Sequence, residues 1–144
     1  MYYFIQKFHS GWAYLALLLL VIAVVISLVG LFSKKEFTAK NRKIALFALI
    51  AIHIQLVVGI LLYFISPNGL SMIQTVGIGG LTTESRLLAL EHPLINIIAI
   101  ALITVGWSKH KKVTTSESKF KTFSILYGLG LVLILSRIPW KIWL

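Results

Sequence analysis

Cysteine is absent from the chain, which excludes disulfides, thiolate catalysis, cysteine-ligated iron–sulfur clusters and covalent haem attachment through C-x-x-C-H. Any metal has to be held by histidine or carboxylate. Charge is scarce too: 12% of the residues are charged against 58% hydrophobic, and the mean hydropathy is +0.93. No ordinary soluble domain of 144 residues presents that composition to water, so the chain reads as an integral membrane protein. Internal repeats and low-complexity segments are also missing.

What the sequence does contain is four apolar runs, at 12–32, 44–65, 87–107 and 122–140. Each is close to the ~20 residues that a helix needs to cross a hydrocarbon core. They predict one all-α domain over 1–144, an integral membrane four-helix up-down bundle, because the short first and third links make antiparallel neighbours. The first run is too long for a signal-peptide core, lacks a small-x-small site and is stopped by "SKKEF", so it reads as an uncleaved span.

The formal net charge of +10 is concentrated in two places. Lys34, Lys35, Lys40, Arg42 and Lys43 form one loop cluster; Lys109, Lys111, Lys112, Lys119 and Lys121 form the other. Under the positive-inside rule both face the cytoplasm, which leaves the N- and C-termini and the 66–86 loop on the periplasmic side of a bacterial inner membrane. Basicity of this kind reports topology, and no nucleic-acid partner is expected.

"SPNG" supplies turn chemistry after the second run, and Thr82 or Thr83 can cap the third helix, with Glu84 in its first turn. Pro93 stands early in that helix and predicts a break or kink next to His92. Ser124, Gly128 and Gly130 make the fourth run approachable by a neighbouring backbone.

Ionisable groups inside a membrane are costly and are candidates for function. Here they are His9, His53, Glu91, His92 and Arg137, with His110 placed among lysines as a solvated residue. Counting helical rise puts His92 roughly 22 Å and Arg137 roughly 21 Å above the inner ends of their spans, His53 near mid-membrane, and His9 at the outer edge. Two histidines on facing helices can clamp a haem, and an arginine at their level can pair with a propionate. His92, Asn96 and Ala99, like His9, Ala13 and Ala16, fall on one helical stripe of small or polar groups.

The expectation is a noncovalent haem b whose iron is ligated by His9 and His92, with Arg137 near the propionates and His53 in reserve. Each feature also has a plainer reading: His9 as an interface anchor, His53 as packing glue, Glu91–His92 as a proton-carrying pair, Arg137 as a snorkelling helix end.

"HIQLVVGILLYFISPNGLS", then "LEHPL", resembles two helices of one half-bundle of haem A synthase, where a Q-x-x-x-G helix leads through an outer loop to a helix bearing Glu and His. "FIQKFHSGWAYLALLLL" is similar to that half's closing helix, which opens with a histidine. The helix order here is circularly shifted relative to the enzyme. The resemblance implies ligand positions at His9 and His92, with Glu91 near the acidic residue. It extends along the whole chain to small four-span bacterial cytochrome-b-like membrane proteins. The enzyme has two such halves and spaces its Glu from its His, so the implied role is haem binding and electron transfer rather than synthase activity. The expected partners are the lipid bilayer, which the composition requires, other membrane protein subunits, and a quinone. The competing expectation is a cofactor-free structural or assembly subunit of a larger membrane complex.

Overall fold

A computed structural model describes all of residues 1–144. The first helix, α1, runs Tyr2–Phe32 and begins well before the predicted 12, because only Gly11 opposes helix in its polar head. Its 31 residues measure roughly 46 Å, more than the ~30 Å hydrocarbon core. Helix α2, Ala39–Ile65, opens on a reciprocal cap in which the Asn41 amide donates to the Thr38 hydroxyl and the Thr38 amide to the Asn41 side chain. It stops at Ser66, where the following Pro67 disfavours helical backbone.

The connection holds the short helix α3, Leu70–Val76, and a single 3-10 turn, Ile78–Gly80. Gly77 joins them at a φ of +72°, a conformation that a side chain would oppose. Thr82 then caps α4, Thr83–Arg86, through a reciprocal bond with Ser85. A π-helical turn, Leu87–Glu91, leads into α5, His92–His110. The kink expected at Pro93 is this turn: the His92 amide reaches back to the Leu87 carbonyl, one residue further than in an α-helix. The helical run therefore continues unbroken over Thr83–His110.

Helix α6, Ser116–Ser136, ends earlier than the predicted 140, because Ile138 precedes Pro139 and the backbone has left the helical region at Arg137. The last short helix, α7, Trp140–Trp143, turns back over α1, where the Trp143 indole donates to the Ser10 carbonyl at 3.0 Å.

Four helical runs are long and apolar enough to cross a membrane. α1 packs on α2 and α6, and α5 packs on the same two, so α1 and α5 stand at opposite corners of the bundle. Small residues bring the helices together: Ala16, Ala45, Ala48, Ala51 and Ala99 are all buried. A Cβ on Gly130 would fall 2.5 Å from Ile103 Cγ1, so α6 passes α5 at a distance only glycine allows. The outward faces, with Leu18, Val57 and Val132 more than half exposed, are apolar surface that suits contact with the lipid bilayer.

Candidate functional site

On α1, His9, Ala16, Leu20 and Ala23 are spaced i, i+7, i+11 and i+14, and the last three are buried. On α5, His92, Ala99, Ile103 and Gly106 repeat the spacing, again with the last three buried. Each histidine is thus the head of a stripe that faces the bundle axis. Because α1 and α5 are diagonal, the two rings meet across the axis: their centroids are 6.2 Å apart and their planes stand at 88°.

The hydrogen bonding of these rings is incomplete. His92 Nδ1–H donates to the Arg137 carbonyl at 2.8 Å, which fixes the tautomer and leaves the Nε2 lone pair without a partner. Asn96 steadies the same turn by donating its amide to the His92 carbonyl at 2.6 Å. His9 makes no side-chain hydrogen bond, and its Nδ1 is a buried orphan. Gln55 Nε2 donates to the His9 carbonyl at 2.8 Å, while Gln55 Oε1 is itself buried without a partner. A buried polar atom left this way costs about 1–3 kcal/mol, so two on adjoining residues call for a function.

Gly59, one turn beyond Gln55, gives the His9 ring its room. A Cβ there would lie 3.1 Å from His9 Cε1 and 3.6 Å from Nδ1.

Arg137 lies beside His92, as rise counting expected, but it meets the ring through its backbone carbonyl. Its guanidinium stands 3.7 Å from Glu91, which also pairs with Arg86 at 3.3 Å. Both pairs are substantially exposed and add little stability. His53 is apart from this group: Nδ1–H donates to the Leu49 carbonyl at 2.8 Å, and Nε2 faces the Thr104 hydroxyl at 3.2 Å. The Thr104 hydroxyl also donates to the Ile100 carbonyl at 2.7 Å, so Nε2 competes with that carbonyl for a single proton.

The expectation for His110 is corrected. It is 1% exposed, packed among Phe37, Trp107 and Phe123, with Nδ1–H bonded to the Trp107 carbonyl. It lies eighteen residues, five helical turns, after His92 on the same stripe, and that spacing was the signal available in the sequence. Gln55, Gly59 and Trp143 also adjoin the site without having been singled out as site residues; the first two form the Q-x-x-x-G pattern.

No cluster of three or more His, Asp or Glu converges on a point that could hold a metal ion. Two imidazoles are what the chain can offer, so a metal bound here needs its other positions filled by a non-protein ligand. Two imidazoles bound coaxially to one ion, at metal–nitrogen bonds of about 2.0–2.1 Å, have ring centroids roughly 6 Å apart. The observed separation of 6.2 Å matches that spacing, and His9 Nδ1 and His92 Nε2 are in no hydrogen bond. Two cavities, of about 170 and 300 Å³, lie at the other end of the bundle, away from the histidines.

No known protein family, curated protein or solved structure matches the chain.

Proposed function

We propose that this protein is a membrane b-type cytochrome of the bacterial inner membrane, holding one haem b noncovalently between His9 and His92 near the periplasmic face. It passes electrons as a small cytochrome or as an accessory subunit of a respiratory complex, with a quinone as a candidate partner. The observation that carries the reading is the pair of axis-facing imidazoles from diagonal helices, 6.2 Å apart, with His9 Nδ1 and His92 Nε2 in no hydrogen bond.

Bound haem supplies reversible one-electron chemistry, and the surrounding protein sets its potential. The residues divide the holding work. The Arg137 carbonyl orients the His92 ring by accepting from Nδ1–H. Gly59 leaves the His9 ring space against α2, and the Gln55 amide ties α2 to α1 at the same level. Arg86 and Arg137 share a single carboxylate, Glu91, so one positive charge remains for a propionate. His53, tied to the Leu49 carbonyl through Nδ1–H and set beside the Thr104 hydroxyl, serves as packing glue between α2 and α5.

The test is a pyridine haemochrome spectrum of protein purified in detergent after expression with ample haem. Wild type is expected to carry stoichiometric haem b, His9→Ala and His92→Ala to lose it, and His53→Ala to keep it. Retention by His9→Ala with loss by His53→Ala would move the pair to His53 and His92. A colourless wild type would refute the cytochrome and leave the cofactor-free structural subunit.

A further inference from the structure

At the end opposite the histidines, a cavity of about 300 Å³ opens between α5 and α6. Lys109 and Lys121 stand at it with Ser118 and Thr122, and Ile125 and Leu126 lie one turn deeper along α6. Polarity therefore changes along the groove from two cations and two hydroxyls to aliphatic carbon within roughly 5 Å.

Neither lysine has an acidic partner. The two ion pairs in the chain both use Glu91, at the far end. Glu117, the acid nearest in sequence, makes no ion pair and does not line the cavity. The smaller cavity at this end carries both signs, Lys35 and Glu36, and offers no such imbalance.

The apolar track does not stop at the cavity. Below Ile125, Leu129 and Val132 continue along the same helix, and all three are about half exposed or more, at 48%, 51% and 63%. A ligand that fits must have a compact anionic head and an aliphatic tail running parallel to the bundle. Inorganic phosphate would use the lysines but leave the track empty.

The geometry points to a site for one anionic phospholipid, its phosphate between Lys109 and Lys121 and an acyl chain laid along Ile125, Leu129 and Val132. This inference does not depend on haem binding. It predicts that the site distinguishes lipids by head charge, since each lysine near an anionic head strengthens the contact and two together give roughly 30-fold selectivity.

The experiment is native mass spectrometry of the full chain in detergent, titrated separately with phosphatidylglycerol, phosphatidylcholine and inorganic phosphate. Wild type is expected to retain one phosphatidylglycerol roughly 30-fold better than phosphatidylcholine and to retain no phosphate. K109Q/K121Q should abolish the preference, whereas K40Q/K43Q, which removes equal charge from the other basic loop, should keep it. Ile125→Trp, at an exposed position where folding is not at risk, should block retention with all charges in place.

Equal retention of both lipids by wild type would overturn the proposal. So would an undiminished preference in K109Q/K121Q, an equal loss in K40Q/K43Q, which would show a diffuse basic surface, or retention of phosphate alone. Haem content is read on the same samples and should not change.

Discussion

Gly59 offers the most direct way to disturb the imidazole pair without touching either histidine. The missing Cβ would lie 3.1, 3.6 and 4.0 Å from Cε1, Nδ1 and Nε2 of His9, so α2 is laid against the nitrogen-bearing edge of the ring. Carbon contacts are most favourable at about 3.5–4.0 Å. In Gly59→Ala only the Cε1 contact is too close, by about half an ångström, and a ring rotation relieves it. Displacing a side chain ~30° from its rotamer costs about 0.5–1.5 kcal/mol, which lowers haem affinity a few-fold to about tenfold. Gly59→Leu places further carbons where the ring sits, and no small rotation clears them. Haem-to-protein ratio from the haemochrome spectrum should therefore fall in the order wild type, Gly59→Ala, Gly59→Leu, the last near zero. Helical circular dichroism and a monodisperse elution should be preserved throughout, since position 59 is not fully buried. A Gly59→Leu protein that folds and binds haem like wild type would refute the placement of His9 at the iron.

The other predictions concern what holds the axis together. Tyr127→Phe removes a buried hydrogen bond to the Ala45 carbonyl, 2.9 Å long; unfolding in mixed detergent should show a loss of about 0.6–1.7 kcal/mol, with haem retained. Thr104→Val removes the partner of His53 Nε2 and should cost a similar amount, again without loss of haem; a bleached protein would mean that His53 has a role at the iron. Gly130→Ala drives a methyl into Ile103, 2.5 Å away, and against the Ala99 carbonyl at 3.0 Å. It should destabilise by about 1–3 kcal/mol. Combined with Ile103→Ala the two effects should fall short of additive, and strict additivity would count against the close crossing of α5 and α6.

The four spans were legible because twenty-residue apolar runs have one structural use in a membrane, and hydropathy alone locates them. Depth was legible too: counting rise put His92 and Arg137 at one level, and a 2.8 Å hydrogen bond joins them. What counting cannot supply is direction. Arg137 was expected to act through its guanidinium, yet the helix ends one residue before it and turns its carbonyl to the ring. His110 was placed in solvent on the strength of its lysine neighbours, although charge along a sequence says nothing about angle around a helix. Its spacing from His92 carried the correct answer. The return of Trp143 onto α1 joins positions 133 residues apart, and no local pattern encodes such a contact.

The two ends of the bundle are closed by different chemistry, and the difference bears on where the proposed cofactor would enter. At the basic end the axis is plugged by aromatic rings: Trp107, His110, Phe123 and Phe37 pack with neighbouring centroids 4.5–6.4 Å apart, and Arg42 and Lys111 sit over the Trp107 face at 5.0 and 5.3 Å. Every ring there has partners, His110 included, so this end is finished as a protein core. Midway, His53 and Thr104 each bond a carbonyl of their own helix and meet at 3.2 Å. Only at the opposite end does the axis terminate in imidazoles with unused nitrogens, roofed by the π-helical turn before His92 and by the α7 strap beside Ser10. The α7 strap is short and is entered through irregular backbone at Arg137–Pro139, which makes it cheaper to displace than a span. A planar group entering at this end meets the α7 strap, on the side of the membrane away from the basic loops.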